Sequence, residues 1–255
     1  MLAIERRNKI YGLLRRYGRV VVGELAKDFE VSEETIRRDL DKLEKEYGIV
    51  KTYGGAFLKD EIKTDIPLFV RKKTNVEAKE RIASLIEEVV LDGDAIILDA
   101  SSTAVFIARK LKNKKNITLI TNSVEVLLEL SDVSGWKILS TGGEFTGSAC
   151  ALTGTKAEEM LSSYRVDKVI VSCKGLDPEF GFSDSDERQA SVKRKMLACG
   201  VQKILAVDAS KFGKRSFAAI GGLDGIDAVF TDSEPSEAWK ELFDRYGVEC
   251  LYPNE

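Results

Sequence analysis

The chain has 255 residues, of which 44% are apolar and 32% charged, with a net charge of −3, and this composition excludes a largely disordered protein. It contains no histidine, which excludes Ser-His-Asp and Cys-His catalytic triads, histidine-ligated zinc and histidine proton shuttles. The four cysteines form no CxxC pair, no apolar run approaches the roughly 18 residues needed to span a bilayer, and no signal peptide is recognisable. We therefore expect a cytoplasmic protein with no metal, no cofactor and no membrane partner.

The first part of the chain, residues 1–57, has the pattern of three helices and a β-hairpin. Apolar residues at helical spacing predict a first helix, and a second, short helix follows over 24–29. Ser32 is placed as the N-cap of a third helix that runs to about Tyr47. The alternating stretch 49–57 then predicts a hairpin. This order of elements is typical of a winged helix-turn-helix.

The third predicted helix carries two adjacent arginines one turn after its start. At this place a recognition helix presents side chains to the major groove, where arginine binds guanine edges through two hydrogen bonds. The same arginines could instead pair with neighbouring carboxylates on a solvated helix face. The candidate DNA-binding residues are Ser32, Glu34, Thr35, Arg37, Arg38, Lys42, Lys51 and Tyr53.

Charge and composition divide the chain into three segments. Residues 1–57 carry 12 Lys and Arg against 10 Asp and Glu, and the remaining residues carry 27 against 32. Polar sequence over 58–74 predicts a linker, and a third segment, 75–255, follows. A slightly basic first segment beside an acidic remainder is compatible with contact to a polyanion.

From residue 75 onward, nearly continuous apolar strands alternate with helices. The predicted strands cover 95–98, 117–120, 136–139, 168–172, 203–207, 228–230 and 248–252. This alternation predicts an α/β domain with a mostly parallel sheet that helices cover on both faces. Such sheets bind ligands beyond the carboxyl ends of their strands.

Polar residues follow several of these predicted strands. Segment 98–103 ends a strand and opens a helix, and its N–H groups and hydroxyls suit a phosphate, although an ordinary Ser/Thr helix cap explains the same residues. Lys211 could neutralise a phosphate or simply lie at the surface. The candidate effector-binding residues are Asp99, Ser101, Ser102, Thr103, Thr121, Asn122, Gly142, Gly143, Lys174, Gly175, Asp177, Glu187 and Lys211.

The string Ser-x-x-Thr-Ile-Arg-Arg-Asp-Leu over 32–40, with Gly-Gly-Ala over 54–56, resembles the DNA-binding domain of the DeoR family of bacterial transcriptional regulators. The family often has a histidine where this chain has Tyr53. The resemblance covers nearly the whole chain, and the order of strand-end motifs also resembles ribose-5-phosphate isomerase. It implies an N-terminal winged helix-turn-helix domain that binds operator DNA. The implied α/β domain is of the ribose-5-phosphate isomerase-like type, senses a phosphorylated sugar and forms a homodimer or homotetramer.

On this basis we expect a repressor of carbohydrate metabolism genes that a phosphorylated sugar metabolite releases or modulates. Where the isomerases have an aspartate this chain has Lys174, so a carboxylate suited to proton transfer is missing. Asp177 and Glu187 remain to bind hydroxyls, and we expect no catalytic residue. Two alternatives stay open: an isomerase-like enzyme with a regulatory DNA-binding head, and a DNA-binding protein whose α/β domain serves only assembly.

Overall fold

The computed structural model describes residues 3–17, 19–47, 49–52, 54–57 and 67–253. The chain divides into an N-terminal unit, Met1–Thr64, and a C-terminal unit, Asp65–Glu255. Tyr53 and residues 58–66 of the predicted linker lie outside the described residues. Within the described ranges, no helix is both long and apolar enough to cross a membrane.

The described part of the N-terminal unit has the predicted order of helices and strands. It comprises α1 (Ala3–Tyr17), β1 (Arg19–Val21), α2 (Val22–Asp28), α3 (Glu33–Tyr47), β2 (Val50–Thr52) and β3 (Gly55–Phe57). The sequence predicted a two-stranded hairpin, whereas the structure adds β1 as a third antiparallel strand, in the order β1-β3-β2. Gly55 permits this pairing because a Cβ at that position would collide with the carbonyl oxygen of Val20.

One apolar cluster holds these elements together. Its largest buried side chains are Ile10 and Leu14 of α1, Leu25 of α2, and Ile36, Leu40 and Leu43 of α3. Their spacings of three and four residues place them on one face of each helix. The helix α3 begins where the sequence predicts, because the Ser32 Oγ accepts a hydrogen bond from the Thr35 N–H at 3.2 Å.

A buried ion pair fastens α1 to α3. The Arg6 Nε donates to the Asp39 Oδ2 at 2.5 Å, and an Arg7 nitrogen lies 3.7 Å from the other carboxylate oxygen. Arg6 and Asp39 are both more than nine-tenths buried. Asp39 directly follows the two arginines of the predicted recognition helix, so the ion pair sets the position of that helix against α1.

We expect Asp39→Ala to lower the free energy of unfolding of the N-terminal unit by about 3–5 kcal/mol, because the substitution leaves the Arg6 charge buried and unpaired. Amide hydrogen exchange in α1 and α3 measures this effect, since both tryptophans, Trp136 and Trp239, lie in the C-terminal unit. The control is Glu34→Ala, which removes an exposed ion pair of the same helix and should cost less than about 1 kcal/mol. Equal effects of the two substitutions would contradict the prediction.

The C-terminal unit is built on seven parallel strands. Their order is β15 (Glu249–Leu251), β14 (Ala228–Phe230), β12 (Gly200–Ala206), β9 (Val166–Val171), β4 (Ala95–Leu98), β5 (Thr118–Thr121) and β6 (Lys137–Ser140). Its helices are α4 (Leu68–Arg71), α5 (Val76–Val89), α6 (Ser102–Leu111), α7 (Val124–Glu129), α8 (Thr155–Leu161), α9 (Glu187–Cys199) and α10 (Glu237–Tyr246). The predicted α/β class, with a parallel sheet after a winged helix-turn-helix, is confirmed.

Alternate residues of the central strands enter two different cores. Ile96 and Leu98 of β4 pack with α5 and α6, whereas Ile97 between them packs on the opposite face with α8 and α9. Both faces are therefore apolar, which is why the strands appear in the sequence as continuous apolar runs. The polar residues after each strand are left at the carboxyl edge of the sheet.

Five short antiparallel strands were not predicted. They are β7 (Glu144–Thr146), β8 (Ala151–Thr153), β10 (Gly175–Asp177), β11 (Gly181–Asp184) and β13 (Ala218–Gly221). β7 pairs with β8, and the other three form a small sheet in the order β10-β11-β13. These segments are short and interrupted by turns, so their sequences resemble loops. Gly181 has a φ of 74° and lies against the Gly221 carbonyl, leaving no room for a side chain.

Candidate functional site

The exposed face of α3 carries the predicted DNA-binding arginines. An Arg37 nitrogen lies 2.9 Å from Glu33, and Arg38 lies 3.4 Å from Glu34, each pair spaced one helical turn apart. All four side chains are about half exposed or more. Such exposed pairs contribute about 0.3–0.5 kcal/mol, whereas a two-bond arginine–guanine contact is worth about 1–3 kcal/mol of base discrimination. The ion pairs therefore do not prevent the arginines from binding DNA.

The other predicted DNA-binding residues surround this pair. Ser32 and Thr35 lie at the start of α3, and their hydroxyl oxygens are 2.9 Å apart. Lys42 is exposed on the same helix, while Lys51 of β2 pairs with Asp41 and, at 3.3 Å, with Glu44. Tyr53 lies outside the described residues. The first unit thus presents arginine and lysine side chains that are held by nearby carboxylates.

At the carboxyl edge of the parallel sheet, a lysine is buried between two carboxylates. The Lys193 Nζ of α9 lies 3.1 Å from Asp99, which follows β4, and 2.6 Å from Asp184 of β11. Lys193 also donates to the Ser172 carbonyl oxygen at 2.8 Å. The Asp99 Oδ2 accepts a second hydrogen bond from the Ser172 N–H at 2.9 Å. All three charged side chains are at least nine-tenths buried.

The three charges stabilise one another. Burial by itself lowers the pKa of Lys193, but Asp184 and Asp99 outweigh burial and raise it above its usual value. Burial likewise would raise the pKa of Asp184, yet Lys193 and then Lys174 bring it below the ordinary value. Lys174, a predicted effector residue, therefore lies close enough to act on this cluster. Sequence reasoning missed Lys193 and Asp184, although a lysine among the apolar residues of α9 was a usable signal.

The ends of β4 and β5 carry further predicted effector residues whose side chains make hydrogen bonds within the protein. Ser101 caps α6, since its Oγ accepts from the Ala104 N–H at 3.0 Å. Thr121 donates to the Leu98 carbonyl at 2.7 Å, and Asn122 donates to the Leu152 carbonyl at 3.0 Å. Ser102 and Thr103 are buried in the first turn of α6. The cap explanation of Ser101 is thus correct for its hydroxyl oxygen.

Lys79 of α5 is buried, as Lys193 is. Lys211, which follows β12, lies near enough for its charge to act on Lys79. Lys211 is 3.8 Å from Asp208, and Lys79 donates to the carbonyl oxygens of Thr74 and Asn75. Burial lowers the pKa of Lys79 to about 8, although Asp208 partly opposes it. Burial raises the pKa of the Cys173 thiol to about 12. The charges of Lys193 and Lys211 both act on this thiol and partly oppose the effect of burial. The sequence did not single out Lys79.

An open cavity of about 480 Å³ lies at this end of the sheet, a volume within the range of small-molecule sites. Asn75 connects its walls, because its amide donates to Asp208 at 3.2 Å and to Ser210 at 3.4 Å. The lining residues are Lys73, Asn75, Val76, Glu77, Ala78, Arg81, Asp208, Ser210 and Asp232. Lys79 and Lys211 do not line this cavity themselves, but they contact two residues that do, Asn75 and Asp208.

Several predicted effector residues have no described contact with either the Lys193 cluster or the cavity. Asp177 stabilises the β10–β11 turn, where it accepts from Arg215 at 2.8 Å and from two backbone N–H groups, and these bonds lower its pKa to about 2. Glu187 is exposed and pairs with Arg194. The backbone of Gly142 and Gly143 makes a left-handed turn after β6, and Gly175 opens β10.

We expect Lys193→Met to lower the free energy of unfolding of the C-terminal unit by about 3–5 kcal/mol at pH 7, because two buried carboxylates lose their counter-charge. In the wild type the lowered pKa of Asp184 gives stability that is present above pH 3.9, the unfolded value, and is lost as the pH falls further. In the variant Asp184 loses the charge of Lys193, so burial raises its pKa and the deficit should shrink between pH 7 and pH 4.

Urea unfolding followed by tryptophan fluorescence measures both effects. The matched control is Lys156→Met, which removes an exposed lysine paired with Glu159 and should change the unfolding midpoint little at either pH. A Lys193→Met deficit that is small, or that does not change with pH, would contradict the buried ion cluster.

Comparison with known proteins identifies both units. The profile of the DeoR-like helix-turn-helix domain matches residues 6–61, and that of the DeoR C terminal sensor domain matches residues 74–233. The chain is 41% identical to the uncharacterized HTH-type transcriptional regulator YulB of Bacillus subtilis (strain 168), over 91% of this chain and 90% of that protein. The HTH-type transcriptional repressor GlcR of the same strain is 38% identical, over 97% and 95%.

A relative from Escherichia coli (strain K12), the glycerol-3-phosphate regulon repressor, is 32% identical over 92% of this chain and 93% of its own length. Among solved structures, ribose 5-phosphate isomerase A from Methanocaldococcus jannaschii is similar with a TM-score of 0.41 and 17% identity, covering 55% of each chain.

Proposed function

The chain belongs to the DeoR family of bacterial transcriptional regulators, and from this premise we propose that it represses genes of carbohydrate metabolism and that a phosphorylated sugar metabolite releases it from its operator. The observation that carries the proposal is the carboxyl edge of the parallel sheet, where Asn75 and Asp208 line an open cavity and contact Lys79 and Lys211. The same edge of the sheet holds the buried cluster of Asp99, Lys193 and Asp184. Cations suit a phosphate, and the polar strand ends suit hydroxyls. The named role of the glycerol-3-phosphate regulon repressor supports a phosphorylated effector.

In the proposed DNA complex, α3 enters the major groove with Arg37 and Arg38 on base edges and with Ser32, Thr35 and Lys42 on phosphates. Lys51 of β2, and Tyr53 two residues after it in the sequence, would contact the flanking backbone. A symmetric dimer or tetramer would place two such helices on half-sites about one helical turn, or a multiple of it, apart. The small positive charge of residues 1–57 supports a mode in which base contacts contribute much of the selectivity.

The effector would act by binding the DNA-free arrangement more tightly than the DNA-bound one, since equal affinity for both shifts nothing. We place its phosphate near Lys79, Lys211 and the start of α6, and its hydroxyl groups near Asp99, Asn122 and Lys174. The segment 58–74 would carry the change to the N-terminal unit.

Binding without turnover fits the carboxylates of this site. Proton abstraction needs a base whose pKa lies near the working pH and that is available to the substrate. Asp184 is engaged by Lys193 and has a lowered pKa, which makes it a weak base. Incubating the protein with pentose and hexose phosphates tests this view, and isomerisation at an enzymatic rate would overturn it.

We expect Arg37→Ala and Arg38→Ala each to weaken binding to an operator about 10- to 100-fold, since each loses about 1–3 kcal/mol of base discrimination. The operator is one that the wild type selects from random DNA, and electrophoretic shifts at fixed salt measure the affinity. Lys45→Ala, which removes a positive charge from the last turn of α3, is the control and should weaken binding less. An unchanged footprint for both arginine variants would refute the assignment.

The ion pairs of α3 make a second prediction for DNA binding. Glu33→Gln with Glu34→Gln frees both arginines, so affinity for non-specific DNA should rise more than affinity for the operator. Glu46→Gln removes an exposed carboxylate farther along α3, in its last turn, and serves as the charge control. The same titrations at two salt concentrations measure the ratio, and a constant ratio would show that the pairs do not affect selectivity.

For the effector, we expect the affinity for sugar phosphates to fall between pH 7.5 and pH 9.5, because Lys79 loses its charge near pH 8 while the phosphate stays doubly ionised. Lys79→Met should bind weakly at both pH values, and Lys211→Ala should bind weakly but keep the pH dependence. Thermal shift and calorimetry with glycerol 3-phosphate, ribose 5-phosphate and glucose 6-phosphate measure this. Wild-type affinity in both variants would refute the phosphate site.

A further inference from the structure

Three buried polar atoms near the Lys193 cluster have no hydrogen-bond partner among the described residues. They are the Asp99 Oδ1, the Asn122 Oδ1 and the Gln189 Nε2. Each side chain belongs to a residue that is at least 95% buried. Leaving such a group unpaired is unfavourable, and more so for a charged one, so three of them at one end of the sheet call for an explanation.

The three residues lie around one end of the sheet. Asp99 and Asn122 directly follow β4 and β5, neighbouring strands whose last residues, Leu98 and Thr121, are paired in register. Gln189 lies one helical turn before Lys193 on α9, and Lys193 binds the other carboxylate oxygen of Asp99 at 3.1 Å. The Asn122 amide nitrogen already donates to the Leu152 carbonyl, and the other carboxylate oxygen of Asp99 already binds Lys193. Asp99 and Asn122 are therefore held in position while one oxygen of each has no partner among the described residues.

The three atoms form a complementary set for hydroxyl groups. The two oxygens can only accept hydrogen bonds, and the amide nitrogen, which carries two N–H groups, can only donate them. A hydroxyl donates one hydrogen bond and accepts others, so two adjacent hydroxyls supply the donors and the acceptor that the three atoms lack. Lys193 and Asp184 add to this fit, because Lys193 keeps the Asp99 carboxylate in place in the absence of ligand.

We propose that Asp99, Asn122 and Gln189 form a hydroxyl-binding subsite that recognises adjacent hydroxyl groups of a polyhydroxy ligand. The inference rests on the proposed function in that it assigns this subsite to the sugar part of the effector, away from the phosphate contacts of Lys79 and Lys211. It adds Gln189, which the sequence did not indicate, and thereby brings α9 into contact with the ligand. A site built to bind hydroxyls discriminates strongly against analogues that lack them.

Gln189→Met tests the proposal, because it keeps the side-chain length and removes the unpaired amide. The matched control is Thr231→Val, which likewise removes a buried polar group without a described partner, here a hydroxyl. Thr231 follows β14, which lies three strands away from β4 in the sheet. The probes are glycerol 3-phosphate, ribose 5-phosphate and glucose 6-phosphate, together with inorganic phosphate and unphosphorylated glucose. Calorimetry gives the affinities and thermal unfolding gives the melting temperatures without ligand.

We expect Gln189→Met to lose about 3- to 10-fold of the preference for a sugar phosphate over inorganic phosphate. Inorganic phosphate itself should bind as in the wild type, and the melting temperature without ligand should stay equal or rise. Thr231→Val should keep the preference. For ribose 5-phosphate, replacement by 2-deoxyribose 5-phosphate should reduce wild-type affinity more than it reduces the affinity of Gln189→Met.

The outcomes separate this inference from the proposed function. If Gln189→Met binds sugar phosphates as the wild type does, with or without a lower melting temperature, the subsite is refuted and the phosphorylated effector stands. If glucose binds as well as its phosphate and Gln189→Met loses both, the subsite is supported and the phosphate proposal fails. If the wild type binds none of the probes, or binds them no better than inorganic phosphate, the subsite is refuted, as a buried water would then satisfy the three atoms.

Discussion

The burial of Lys193 between Asp99 and Asp184 is the constraint on which the C-terminal unit depends. An ammonium group loses several kcal/mol of hydration inside a protein, and only close carboxylates and hydrogen bonds offset that loss. The two carboxylates lie 3.1 and 2.6 Å away, and they come from the end of β4 and from the small sheet. The cluster therefore joins the main sheet, the small sheet and α9. Because removal of Lys193 leaves two buried carboxylates without their shared counter-charge, the cluster depends most on this lysine.

The N-terminal unit uses ion pairs in two different ways. In the run Arg37-Arg38-Asp39, successive residues are rotated by about 100° around the helix, so the arginines face solvent while Asp39 turns inward to Arg6. The buried pair fixes the position of α3, and the exposed pairs contribute little to stability. The exposed arginines thus remain available to exchange a carboxylate for a base edge. Stability and the proposed DNA recognition are thus assigned to different faces of one helix.

In the C-terminal unit these two roles share residues. Asp99 holds Lys193 with one carboxylate oxygen and has no described partner for the other, so the group that stabilises the sheet edge is also a candidate ligand contact. A ligand at this edge would connect β4, β5 and α9 by direct hydrogen bonds. Such a ligand changes the relative stability of arrangements that differ in these elements, which is the requirement for a switch. Pairing with Lys193 also lowers the pKa of Asp184, which makes this carboxylate a poor base.

The sequence by itself determined the elements that have strong local signals. The Ser32 cap, the arginine pair, the apolar strands and their polar ends predicted a winged helix-turn-helix before a parallel α/β sheet, because helical and strand periodicity and capping are local properties. Only the tertiary structure decided which polar residues meet. Lys193 pairs with Asp184, nine residues away in the chain, and also with Asp99, 94 residues away. Asp177 and Glu187, although polar and suitably spaced, pair with Arg215 and Arg194 instead. The sequence also could not predict the short strands β7, β8, β10, β11 and β13, because pairing between segments, and not local preference, makes them strands.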